Sequence, residues 1–127
     1  MINFLIVGIG GFLGAITRYV VGGWFIQRWS RGGPEGFPMG TFVINVSGSF
    51  LIGLLMTLFA ERLTVNPQWR LLLLTGFLGA YTTFSTFEHE TGVLVSDGKF
   101  ILAALNVIGS VFAGFVALKL GQAMARV

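Results

Sequence analysis

The sequence predicts an all-α integral membrane protein built from four transmembrane helices. Three observations carry that prediction. First, 54% of the 127 residues are hydrophobic and only 10% are charged. The charged share is roughly half the usual one, and a soluble domain this small could not hide so much apolar surface from water. Second, the apolar residues, 13 phenylalanines among them, fall in long blocks rather than in alternation. Four blocks reach about 20 residues, the length of a helix that crosses a bilayer. Third, Trp24, Trp29 and Trp69 stand at block ends, where amphipathic rings prefer the headgroup level. The helices are expected over about residues 4–24, 40–60, 69–87 and 99–120 of one domain spanning 1–127. Breaker-rich links separate them at 28–38, at 61–67 and around Ser96-Asp97-Gly98, each too short for a second domain.

Composition also excludes several functions. The net charge of +3 is scattered, with no run of Lys or Arg, so nucleic acid is not expected as a partner. There is no cysteine, which rules out disulfides and thiolate metal sites. The first block has no basic leader and outruns a signal-peptide core, so it reads as a helix of the protein. An enzyme is not expected, because no nucleophile–base pair or metal cluster is visible.

Lys and Arg placement sets membrane orientation. One side would hold Arg62, Arg70, Lys119 and Arg126; the other Arg28, Arg31 and Lys99, plus Arg18 if it is counted there. Four against three or four is almost no bias. A chain without bias can insert both ways, and two opposite copies could pair about a twofold axis in the membrane plane. A bias of one residue, or a partner protein, could instead settle one orientation.

The first helix carries Gly8, Gly10, Gly11, Gly14 and Ala15. Small residues at such spacing let helix backbones approach closely, and packing drives helix association in lipid. The glycines lack the spacing and the preceding strand of a dinucleotide fingerprint. Arg18 lies inside the block's end; it can snorkel to the headgroups or attract anions at a pore mouth, and position alone favours snorkelling. In the second helix Asn45 and Ser49 are four apart and share a face, with Ser47, Gly48 and Gly53 nearby. A mid-membrane Asn is either glue to a neighbouring helix or a donor on a pathway. The fourth helix repeats the theme with Asn106 and Ser110.

The third helix is the anomalous one. Its second half reads Gly76-Phe77-Leu78-Gly79-Ala80-Tyr81-Thr82-Thr83-Phe84-Ser85-Thr86-Phe87. Polar groups at membrane depth are costly and usually line a pathway or a bound ion. Two Phe at helical spacing are ordinarily packing, but Phe84 and Phe87 are surrounded by Thr82, Thr83, Ser85 and Thr86. Gly76 and Gly79 weaken the helix just upstream. A break there would free backbone carbonyls, tolerated only where protein, a cavity or an ion satisfies them; such carbonyls suit an alkali cation. The electropositive ring edges of Phe could replace part of a small anion's water shell without trapping it. Glu88, His89 and Glu90 read as an interfacial cluster rather than a metal site.

At these residues the chain resembles the Fluc (CrcB-like) fluoride channels, over essentially its whole length. Gly11-Phe12-Leu13-Gly14-Ala15-Ile16-Thr17-Arg18-Tyr19 is similar to the family's first-helix signature. Gly40-Thr41-Phe42-Val43-Ile44-Asn45-Val46-Ser47-Gly48-Ser49-Phe50 is similar to its second, and the Gly76 to Phe87 stretch to its third. The resemblance implies an antiparallel, dual-topology homodimer with two pores, its third helix broken mid-membrane, as a multi-pass protein of the cell's plasma (inner) membrane. It implies that Phe84 and Phe87 are pore phenylalanines, Asn45 the pore-facing asparagine and Ser85 a pathway hydroxyl. Asn106 and Ser110 would continue the polar track, while Gly114 departs from the hydroxyl that family members often carry there. Carbonyls of Gly79 and Thr82 would hold a structural sodium ion at the dimer centre, and Arg18 would have a structural or vestibule role. The implied activity is passive export of cytoplasmic fluoride, which reduces its toxicity.

Two other classes remain to be weighed. A small dual-topology, proton-coupled drug exporter also has four short helices, but it needs a membrane-buried carboxylate, and each acidic residue here is expected in a loop or at a helix end. A non-conducting membrane subunit, held by the Gly and Asn faces, differs only in carrying no flux.

Overall fold

The computed structural model describes residues 1–29 and 36–127. Most of the 28–38 link, Arg31 included, therefore lies outside the described residues. Within them the chain is all helix, with no strand. Helix α1 covers Ile2–Trp29, and α2 covers Met39–Thr57 and continues through a wide turn over Leu58–Arg62. The next helix, α3, opens at Pro67–Arg70, widens over Leu71–Leu78 and closes with Gly79–Tyr81. After it come α4, Phe84–Ser96, and α5, Phe100–Arg126. Among the described residues three stretches are long and apolar enough to cross a membrane: Ile2–Trp29, Met39–Arg62 and Phe100–Arg126. Large apolar side chains such as Phe4, Phe12, Ile101 and Phe112 stand exposed along them, a surface suited to lipid and not to water.

Local sequence explains the ends. Asn66 caps α3 by accepting from the Gln68 N–H at 3.0 Å, with Pro67 in the first helical position, where its missing N–H costs nothing. The charged Glu88-His89-Glu90 does not end the helical path, which runs on to Ser96. Termination comes at Gly98, whose φ of 72° lets the Lys99 N–H reach back to the Leu94 carbonyl at 2.8 Å.

Glycine makes the closest seams of the bundle, two of which flank its core. Where α1 meets α3, a Cβ added to Gly76 would lie 2.9 Å from the Gly10 Cα, and one on Gly14 would strike the Phe77 carbonyl. Where α2 meets α5, a Cβ on Gly53 would strike the Leu118 carbonyl and one on Gly121 the Phe50 carbonyl. With no side chain between them the helices pack backbone to backbone, which is how association gains energy in lipid. Between the seams lies the small core of Ile44, Leu78 and Tyr81, backed by Val21, Leu51, Leu55, Leu74 and Phe77. Tyr81 stacks on Phe77 at 5.9 Å and shares a 2.8 Å hydrogen bond with Ser47, so its buried hydroxyl is satisfied.

The two ends of the bundle separate as the link positions require. At one end Glu61 pairs with Arg126 at 2.8 Å, Arg62 donates to the Arg126 carbonyl and Arg70 to the Phe59 carbonyl. At the other, Gly36 lies beside Lys99 and Leu94.

Candidate functional site

Between Tyr81 and Phe84 the backbone leaves the helix. Thr82 takes φ −80° and ψ 157°, and Thr83 takes φ −150° and ψ 119°. Two extended residues between helices leave main-chain groups without their usual partners. Leu78 serves the near side: its carbonyl accepts from the Thr82 N–H at 3.1 Å and from the Thr82 hydroxyl at 3.0 Å. Asn45 of α2 serves the far side. Its Nδ2 donates to the Thr83 carbonyl at 3.0 Å, and its Oδ1 accepts from the Thr83 N–H at 2.9 Å. One side-chain amide thus pairs with one backbone residue in both directions. That N–H would serve Gly79 in a continuous helix, so the Gly79 carbonyl loses its ordinary donor. Thr83 then caps α4, accepting from the Thr86 N–H at 3.3 Å and donating to the Thr86 hydroxyl at 2.9 Å.

An open cleft of about 420 Å³ lies against this junction. Its walls bring together Asn45, Gly79, Thr82, Phe84, Phe87 and Ser110 from the expected site, with Ser49 and Thr83 added. The Phe84 and Phe87 rings are 5.9 Å apart and tilted by 40°. They differ in burial: Phe87 is 8% exposed and Phe84 74% exposed. Asn45 Nδ2 carries a second N–H with no partner among the described residues. Gly114 leaves room that Ser49 borders, since a Cβ there would lie 3.4 Å from the Ser49 Oγ.

Other expected residues stand elsewhere. Ser85 is exposed on α4 and does not line the cleft. Arg18 is half-buried on α1, away from the cleft, and makes no ion pair among the described residues. Asn106 lies behind the cleft wall, 1% exposed, and meets it through Ser110, whose hydroxyl donates to Asn106 Oδ1 at 3.4 Å.

Two contacts escaped sequence reasoning. Glu90, read from the sequence only as one of an interfacial cluster, has a partner on α2. It is half-buried and accepts from the Thr41 hydroxyl at 2.8 Å, while its Oε2 is buried with no partner among the described residues. Thr91 accepts from Asn106 Nδ2 at 2.9 Å and donates to the Phe87 carbonyl at 2.8 Å. The available signal was spacing: Glu90 and Thr91 stand three and four residues after Phe87 and so share its face.

Chemically, the cleft walls carry two phenyl rings, the second amide N–H of Asn45, and the hydroxyls of Ser49, Thr82, Thr83 and Ser110, whose protons are given to Asn45, Leu78, Thr86 and Asn106, with no carboxylate among the lining residues. The amide donor beside apolar rings suits a small anion. Comparison with known proteins agrees in kind. The family described as CrcB-like protein, Camphor Resistance (CrcB), matches residues 5–122. A protein of Solibacter usitatus called fluoride-specific ion channel FluC is 48% identical over 124 residues, covering 98% of each chain. Proteins of the same name from Oceanobacillus iheyensis and Acidobacterium capsulatum are each 45% identical, over 98% of this chain and 92% and 96% of theirs. Kinship of this extent, over the same residues that build the cleft, makes the chain a member of the CrcB family.

Proposed function

We propose that this protein is a fluoride-selective channel of the plasma membrane that lets cytoplasmic fluoride leave passively, down its electrochemical gradient. The observation that carries the reading is the cleft at the α3–α4 junction, where Phe84 and Phe87 stand beside Asn45, Thr82, Thr83 and Ser110. It is read together with relatives that bear the fluoride-channel name. Fluoride is small and strongly hydrated, so a selective path must replace its water with close donors. Ring edges and the free Asn45 N–H do this without a fixed positive charge, joined by hydroxyls that turn their protons from their present acceptors, and weak multi-site binding lets the ion leave again. Phe84, Phe87, Asn45 and Ser110 form the path; Ser85 stands at its exposed end, Asn106 borders it through Ser110, and Arg18 lies outside it in a structural or vestibule role.

The working unit is an antiparallel homodimer of dual topology, with the α3–α4 break at mid-membrane. Support comes from the protomer itself. In lipid, a polar cleft and an interrupted backbone need protein or water around them, yet here Phe84 and Gly79 are open at the surface. A second copy closing that face meets the requirement. It also suits the balanced Lys and Arg placement.

A structural sodium ion fits the same junction. The Gly79 carbonyl has lost the Thr83 N–H to Asn45, and Gly79 and Thr82 both face the cleft. Those two carbonyls, with their counterparts from a second copy, would hold the ion, which would neutralise converging carbonyl dipoles.

The test is efflux from liposomes holding the purified dimer, with potassium permeability supplied and anion release followed by electrode. Fluoride should leave rapidly and chloride should stay. Equal release of both, or release of neither, overturns the proposal.

A further inference from the structure

The geometry points to Asn106 as a positioning residue, acting on the pore through Thr91 and the Phe87 backbone and not as a ligand of the passing ion. This rests on the channel reading above and assigns one residue of that site a different task. Three observations support it. Asn106 is the most enclosed polar side chain of the described residues, at 1% exposure, and it does not line the cleft. Its Nδ2 donates to Thr91 Oγ1 at 2.9 Å, and Thr91 passes its own proton on to the Phe87 carbonyl at 2.8 Å. Finally, α4 packs chiefly against α5, with little contact to α2.

These facts combine into one device. A buried amide without partners is strongly unfavourable, so the pairing constrains where α4 can sit along α5. The bonds run in one direction, from amide N–H through hydroxyl to carbonyl, an arrangement in which each bond strengthens the next. A threonine bonded back to the carbonyl four residues earlier also tends to bend its helix. The turn in question is the one that carries Phe87, so the link sets the height and tilt of the buried ring. One turn earlier, at the N-cap of the same helix, Asn45 holds Thr83. The Phe pair is therefore framed by an asparagine on each side.

The experiment is a double-mutant cycle read by fluoride efflux per dimer in liposomes. Asn106→Leu removes the amide, Thr91→Val removes the hydroxyl at nearly constant shape, and Thr91→Ser keeps it. Each of the first two should slow fluoride efflux about tenfold, Asn106→Leu at least as much as Thr91→Val because it also removes the acceptor of the Ser110 hydroxyl, and the double variant should be no slower than Asn106→Leu alone, as expected for two residues of one unit. Thr91→Ser should run near the wild-type rate, a rescue that loss of packing alone would not give. If Thr91→Val does not yield dimer, Thr91→Ala takes its place in the cycle. Wild-type efflux in the Thr91 variant, or effects of the two changes that multiply, overturns the inference while leaving the channel reading intact. A wild-type protein silent to fluoride overturns both.

Discussion

The α2–α5 seam and the α3–α4 junction solve the same problem in opposite ways. Along the seam the helices are regular, and Gly53 and Gly121 bring backbone against backbone at the carbonyls of Leu118 and Phe50. At the junction two extended residues separate α3 from α4, and side chains complete the backbone: Asn45 of α2 for Thr83, and Thr82 reaching back to Leu78. In lipid there is no hydrophobic force between helices and no water for a stray N–H. A regular helix therefore needs only shape, and an irregular one needs donors and acceptors. Scaffold and site are separated on that principle. The glycines fix where the helices stand, and the amides and hydroxyls fix what faces the cleft.

The contrast can be broken at its strongest point first. Gly121→Val places atoms on the Phe50 carbonyl and the Leu54 N–H, backbone that cannot step aside, and should cost about 3 kcal/mol or more. Little monodisperse protein should survive size exclusion; normal yield and thermal stability would show that the seam has slack. Asn45→Leu comes next. It leaves the Thr83 N–H and carbonyl unpaired, about 1–3 kcal/mol for each buried group, and should abolish most fluoride efflux from whatever dimer can be purified. Wild-type efflux in that variant would mean that the junction does not depend on the clamp.

Gly79→Val sharpens the comparison, because Gly79 belongs to the junction and not to a seam. A Cβ there meets nothing nearer than the Leu74 carbonyl at 3.9 Å, so the protomer itself should tolerate it. The expected loss is in dimer formation and fluoride efflux, while helix content by circular dichroism stays unchanged. An active dimer of the Gly79→Val variant would count against both the closed face and the sodium site. The smallest effect is expected of Glu61→Gln, which removes the exposed pair with Arg126. Solvent and salt screen such a pair, so melting temperature and efflux should match wild type. A clear loss of either would show that this end of the bundle is coupled to the cleft.

Much of the scaffold was legible because it depends on block length and small-residue spacing, which are local properties. Three of the four expected spans and the close packing of Gly10 and Gly14 on α1 could be read directly. Gly76 was expected to weaken its helix, which does widen over Leu71–Leu78; the structure adds a demand that was not read, smallness against Gly10. The extended residues are Thr82 and Thr83, whose hydroxyls offer the backbone alternative partners. Pairings across the bundle were not legible. Asn45 and Asn106 were visible as polar anomalies, but Thr83 and Thr91 as their partners depend on helix rotation and height, which spacing within one helix does not fix. The partner of Glu90 was hidden for the same reason, since Thr41 lies on α2, 49 residues away.

The central claim is that the phenyl face of the junction meets a desolvated anion rather than serving as packing. Fluoride efflux from liposomes containing Phe87→Ile, measured beside wild type at equal dimer content, tests it most directly. The account predicts that the dimer forms and that most of the fluoride flux is lost. Wild-type flux through an intact Phe87→Ile dimer would contradict it.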